Sequence, residues 1–386
     1  MIKNVFLKRM LQNTVFSFFS FINKFTPHQP KRIMLYSNLG FRDNIKALYD
    51  YLVANGYNEK YQLICSTNDF RDFAEEQHPN VKFVSNVKGI LYYFTTKYVY
   101  YCFGKIPIIP SREQEVIQMW HGSMYKAADK GMREAHSAKR LYYTHILSCS
   151  KTFVPILSDA FSFPEDKFII CDQPRNDALF LNWKYDLGPY KKLVLWAPTF
   201  RSSKVLGYSD TKEDSKLVPV LDPTRYQAID QYLKERGVKV IIKLHPLQDL
   251  NDYNLVDMQH FVLLSHQEFM KRGYDLYKLA SQSDALITDY SSIFFDYLLI
   301  DRPIGFTEDD AKDYQDTRGF AVDDPDGYKP GMRIKTEADF CQFIDDLANG
   351  IDHYKAERKR VSNLSNDFKD NKSCWRALDS VGIHKD

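Results

Sequence analysis

The sequence predicts an α/β fold built from two parallel-sheet domains, and three observations carry that prediction. Short apolar runs of strand length alternate with helical stretches along most of the chain. The alternation pauses at residues 181–189, a polar segment with Gly188 and Pro189, and then resumes. The chain has 386 residues, enough for two domains, and its 44% hydrophobic and 26% charged residues suit packed cores.

Residues 2–25 come first and stand apart. Leu7, Leu11, Val15, Phe18, Ile22 and Phe25 share one helical stripe, while Lys8, Arg9, Gln12, Ser20, Asn23 and Lys24 fall mainly opposite. The uncharged stretch 10–23 is short of the roughly 20 apolar residues that span a bilayer. No small-x-small cleavage site follows it, as a signal peptide would require. Such a helix packs on the domain or lies in a membrane interface; its basic flanks and phenylalanines favour the interface.

After the break at residues 27–30, the first half reads as strand 32–37, helix 43–55, strand 61–66, helix 69–77 and strand 81–84. Strand-like residues 98–103 and 116–119 follow, the latter running into Trp120-His121-Gly122. The second half reads as strand 193–197, helix 224–236 closed by Gly237, strands 238–244 and 261–264, and helix 275–283. Strand 285–288, helix 293–300 and a short strand 303–306 complete it. The expected organisation is therefore an N-terminal helix over 1–26, a first α/β domain over 27–185 and a second over 186–386. Each domain would present ligand loops at its strand C-termini, facing a central cleft.

Composition narrows the function classes. Residues 1–150 hold 20 Lys and Arg against 11 Asp and Glu, whereas the rest of the chain is mildly acidic. The first half is thus suited to an anionic partner. Six cysteines without a CxxC pair exclude a disulfide scaffold and a thiolate zinc site. No GxGxxG follows a strand and no phosphate-binding P-loop is present, which disfavours dehydrogenases and P-loop NTPases. No nucleic-acid module or clustered basic run is found, so no nucleic-acid partner is expected.

Several strand ends carry chemistry. Strand 285–288 runs into Asp289-Tyr290-Ser291-Ser292 and a helix, offering hydroxyls and backbone N–H groups to phosphate, with Asp296 one turn further on. Lys243 and His245 point the same way at the end of strand 238–244, where a cation and an imidazole suit an anionic leaving group. Pro198, Thr199 and Arg201 supply a third loop, Arg175 lies in Pro174-Arg175-Asn176-Asp177, and His121-Gly122 closes strand 116–119. Taken singly, each is better explained as a cap, a structural residue or a solvated loop; their recurrence at strand ends points to one site.

These motifs resemble the CDP-glycerol glycerophosphotransferase family of teichoic acid and capsule synthesis. The resemblance rests on WHG at 120–122, PRND at 174–177, APTFR at 197–201, KLHP at 243–246, SDALITDYSSIFFDY at 283–297 and RGF at 318–320. Asp172 stands where that family usually has glycine. The resemblance implies a GT-B-like fold of two Rossmann-like domains and transfer of a polyol phosphate, glycerol phosphate first, from a CDP-polyol with release of CMP. It implies a lipid-linked glycan or polyol-phosphate acceptor at the cytoplasmic face of the membrane, where the protein would sit peripherally on an anionic surface. His121 would be the general base and His245 a second essential histidine. Gly122, Arg175, Pro198, Thr199, Arg201, Lys243, Ser291, Ser292 and Asp296 would contact the donor. No metal or cofactor is called for, and Glu308-Asp309-Asp310 reads as a solvated loop. A GT-B glycosyltransferase using a nucleotide-sugar is the nearest alternative.

Overall fold

Two parallel sheets carry the chain in a computed structural model that describes residues 14–127, 141–199, 202–203, 208–209, 218–244, 258–308, 314 and 319–385. The chain divides into two compact units. The first holds residues up to Gly122, then Lys130–Asp177 and Asp370–Asp386; the second holds Ser123–Asp129 and Ala178–Lys369.

In the first unit the strands are β1 (Gln29–Ser37), β2 (Gln62–Thr67), β3 (Val81–Val84), β4 (Thr96–Tyr101), β5 (Glu115–Gln118), β6 (His145–Ser148) and β7 (Phe168–Ile170). They lie in the order β3-β2-β1-β4-β5-β6-β7, every pair parallel. The second part of β1 is buried on both faces, which is why its apolar run is continuous rather than alternating. Strand β1 starts at Gln29 and so includes Pro30, which the pairing with β4 accommodates by a register shift between Gln29 and Ile33. Helices α1 (Val15–Asn23), α2 (Asn44–Ala54), α3 (Asn86–Tyr93) and α4 (Val154–Phe161) belong to this unit. The helix expected over 69–77 is only a 3₁₀ turn, Phe70–Phe73. Asp69 does not cap it; its carboxylate accepts the Phe41 N–H at 3.0 Å and the Thr67 hydroxyl instead.

Helix α1 docks through its polar side. Its buried residues are Ser20 and Asn23, not the phenylalanines. The Ile109 N–H donates to Ser20 Oγ at 3.0 Å, and Asn23 Nδ2 donates to the Ile109 carbonyl at 3.1 Å and to Gln114 Oε1 at 2.6 Å. Phe19 makes an edge contact with Phe94 at 5.7 Å. Phe18, Phe21 and Phe25 are left 61%, 58% and 73% exposed. Leu7 and Leu11 of the same stripe lie outside the described residues. Among the described residues no helix is long and apolar enough to cross a membrane.

The second unit's strands are β8 (Lys192–Trp196), β9 (Val238–Lys243), β10 (Phe261–Leu264), β11 (Ala285–Thr288), β12 (Ile304–Thr307) and β13 (Met332–Ile334). Their order is β10-β9-β8-β11-β12-β13, again all parallel. Helices α5 (Tyr226–Arg236), α6 (Leu276–Gln282), α7 (Ile293–Tyr297), α8 (Glu337–Asn349) and α9 (Lys355–Ser365) accompany them. Trp196 of β8 is fully buried and stacks on Phe340 of α8 at 5.5 Å. The last helix, α10 (Ser373–Asp379), lies in the first unit, although the sequence boundaries assign 186–386 to one domain. Its Cys374, Ala377 and Leu378 join the core formed by Leu48, Tyr100 and Ile117.

Candidate active site

In the first unit the site is a turn at the end of β5. Trp120 has φ 57, in the left-handed region, and Gly122 has φ 111, a conformation that favours glycine. The His121 ring is half-buried and stacks on the Trp120 ring at 3.8 Å, with Phe103 6.1 Å away. Both carbonyls of the turn are held. Asn44 Nδ2 donates to Trp120 O at 3.1 Å, and Arg175 Nη2 donates to His121 O at 2.9 Å. Arg175 is 7% exposed, and its Nη1 pairs with Asp43 at 2.7 Å. The guanidinium is thus engaged inside the first unit.

The segment before Arg175 accommodates the departure noted in the sequence. Asp172 has φ 70, so it occupies the left-handed backbone where glycine is usual. Its Oδ1 accepts the Gln173 N–H at 2.8 Å and Asn176 Nδ2 at 2.9 Å, local bonds of the kind that make this conformation tolerable for aspartate. Asp177 caps a different element: its carboxylate accepts the N–H groups of Ser373 and Cys374 at 2.8 and 2.9 Å.

In the second unit the predicted residues gather at neighbouring strand ends. Strands β8 and β11 are paired, and Asp289, 1% exposed, joins the loops that follow them. Its Oδ2 accepts the Thr199 N–H and the Thr199 hydroxyl, both at 2.9 Å. Pro198 is buried beside it. Lys243 ends β9, the other neighbour of β8, with its ammonium 5.5 Å from the Phe269 ring centre. Ser292 is the N-cap residue of α7 yet makes no side-chain capping bond, and neither serine hydroxyl is hydrogen-bonded among the described residues. Asp296 is 1% exposed and accepts the Tyr277 hydroxyl at 2.6 Å. His245 and Arg201 lie outside the described residues.

Sequence reasoning passed over several residues here. Asp43, Asn44 and Gln173 carry the polar framework of the first constellation, and none has a motif-like signature of its own; Asp289 stands within the 283–297 motif, but its bracing of the Thr199 loop was not foreseen. Glu308 corrects an expectation: it is not solvated but buried against Lys329 at 2.6 Å and Arg333 at 3.1 Å. Lys329 in turn lies 5.6 Å from the ring centres of Tyr290 and Phe320, so this ion pair braces the Tyr290 segment. Asp309 and Asp310 lie outside the described residues, as does Arg318 of the RGF motif. Phe320 of that motif pairs with Lys126 in an isolated antiparallel bridge, and the Gly319 carbonyl accepts the Ala127 N–H at 3.2 Å.

The model of CDP-Glycerol:Poly(glycerophosphate) glycerophosphotransferase matches residues 18–382. A teichoic acid poly(glycerol phosphate) polymerase of Bacillus spizizenii is 30% identical over 352 residues, covering 84% of this chain and 85% of that one. A teichoic acid glycerol-phosphate transferase of Staphylococcus aureus is 25% identical over 90% of this chain and 92% of its own length. Among solved structures, that of the wall teichoic acid polymerase TagF aligns with a TM-score of 0.71 at 20% identity, covering 98% of this chain and 94% of that one. The likeness establishes a GT-B-like fold with two parallel sheets.

Proposed function

The chain belongs to the CDP-glycerol:poly(glycerophosphate) glycerophosphotransferase family and is a glycerophosphotransferase, and from that premise we propose how it works and where. It moves glycerol phosphate from CDP-glycerol to a hydroxyl of a membrane-linked glycan or teichoic acid acceptor. The acceptor oxygen attacks the phosphorus that bears glycerol. A new P–O bond forms, the P–O bond to CMP breaks, and CMP departs with the electron pair. His121 takes the acceptor proton; an imidazole is suited to this near neutral pH.

The observation that carries the donor reading is the pair of uncapped hydroxyls at Ser291 and Ser292, beside a Thr199 loop already locked by Asp289. Gly122, Pro198, Thr199, Lys243, Ser291, Ser292 and Asp296 form the donor set, with His245 and Arg201 supporting the charge on departing CMP. Positioned hydrogen-bond donors and cations supply most of the stabilisation in phosphoryl transfer. Arg175 is left out of this set because its guanidinium bonds are made within the first unit.

The acceptor's membrane is met by the exposed phenylalanines of α1 at the cytoplasmic face. Val87 and Leu91 of α3 are 79% and 70% exposed, and with Phe94 they form a stripe that meets Phe19 of α1. Attachment would be peripheral, at an anionic surface.

A release assay tests the reaction. Purified protein is given CDP-glycerol, CDP-ribitol and a panel of nucleotide-sugars with a short acceptor analogue. CMP from CDP-glycerol is expected, and His121→Ala should lower its release roughly 10²–10⁴-fold. Release of UMP or UDP from a nucleotide-sugar instead would overturn the proposal.

A further inference from the structure

We infer that Asn44 and Arg175 are positioning residues: they hold the Trp120–His121 turn so that the His121 imidazole is aimed, and they act on the reaction only through it. The inference rests on the reading of His121 as general base. Trp120 is a bulky residue at φ 57, a backbone state that persists only where its surroundings over-determine it. The surroundings here are two hydrogen bonds to consecutive carbonyls, from Asn44 to Trp120 and from Arg175 to His121. Because the imidazole stacks on the Trp120 ring, any rotation of that peptide carries the ring with it.

The two donors are themselves linked. Asn44 is fully buried, and its Oδ1 accepts the Arg175 N–H at 3.1 Å while its Nδ2 also donates to Gln173 Oε1 at 2.5 Å. Asp43 caps α2 through the Asn44 N–H at 2.7 Å and holds Arg175 Nη1 with the same oxygen. Asp43 is itself left-handed, at φ 62. Residues from the loop after β1, the turn after β5 and the segment after β7 therefore form one hydrogen-bonded unit. A guanidinium used in this way is 7% exposed and already donates to a carboxylate and a carbonyl. A guanidinium that grips a diphosphate would instead present its planar fork to the ligand.

Arg175→Lys separates the two roles, since lysine keeps a charge for Asp43 but cannot span both partners. Expected is a fall in kcat of about 10–100-fold, as small misplacements of a reacting group produce. The Kd for CDP-glycerol, read by calorimetry, should stay within about twofold. In a His121→Ala background the same substitution should cause no further loss, because residues acting as a unit are not additive. A raised Kd with kcat preserved at saturating donor would overturn the inference in favour of a donor contact, and so would an undiminished loss in the His121→Ala background. Should Arg175→Lys fail to fold, Asp43→Asn loosens the same guanidinium and is read by the same three measurements. Normal turnover by His121→Ala alone would instead remove the general-base reading, an outcome distinct from the others.

Discussion

Ser291 and Ser292 show how much a single local bond decides. A serine ahead of a helix is ordinarily a cap, and losing a cap costs about 1 kcal/mol of stability. Here the N-cap residue makes no side-chain bond, so the hydroxyls contribute little to the fold and remain available to a ligand. Replacing both by alanine should weaken CDP-glycerol binding by roughly tenfold or more, since each hydrogen bond to a charged group is worth about 1.5–3 kcal/mol. The melting temperature should barely move. Calorimetry beside thermal unfolding decides this: unchanged affinity with lowered stability would return both serines to a capping role. Residues of this kind were legible because they follow a strand directly in sequence. Asn44, Asp43 and Gln173 were not, because their partners lie 76 to 132 residues away and nothing local marks the encounter. Asp172 lies between these cases: the unusual residue was visible, and its left-handed backbone explains what glycine would do there.

Most strands could be read from apolar runs, since a buried parallel strand has few other ways to look, but the short strands His145–Ser148, Phe168–Ile170 and Met332–Ile334 were missed. Helices depended more on context. The stretch at 69–77 has helical spacing, yet Asp69 is drawn to the Phe41 N–H and only one short turn forms. Helix α1 turns its polar residues inward. An apolar stripe normally turns inward, but the Ile109 segment presents a backbone N–H and carbonyl that Ser20 and Asn23 satisfy. Outward phenylalanines follow from that docking. Each is worth about 1.5–3 kcal/mol if fully buried, and a shallow interface would realise only part of this. Phe18→Asp with Phe21→Asp should therefore release the protein from anionic liposomes while leaving turnover of a short soluble acceptor intact. Sedimentation at low and high salt, run beside the soluble assay, reads both effects. Unchanged liposome binding would sink the membrane reading of α1, and lost soluble activity would show that the stripe serves the fold.

At the scale of the whole molecule, the sequence divides the chain once where the structure passes between its two units four times. The last crossing, at residue 370, has no Gly or Pro signal, and only the burial of Cys374, Ala377, Leu378 and Ile383 reveals where the chain end belongs. Asp177 fastens that end through the Ser373 and Cys374 N–H groups, and Tyr100 adds a hydroxyl bond to the Ala377 carbonyl at 2.8 Å. Two influences compete at the Asp177 carboxyl. Burial penalises the charged form, the N–H donors favour it, and burial prevails, so its pKa is raised above the ordinary aspartate value. The folded chain then keeps this proton to a higher pH than the unfolded chain does. Its contribution to stability is fully present below the unfolded value and is lost as pH rises through the folded one. Measured against an Asp177→Asn variant, which does not titrate, the wild-type chain should lose relative stability as pH climbs out of the ordinary carboxylate range, and the difference should then level off. Denaturant unfolding at a series of acidic pH values gives the difference directly. A wild-type chain that gains on the variant with rising pH would mean that the two N–H bonds, and not burial, govern how the chain end is held.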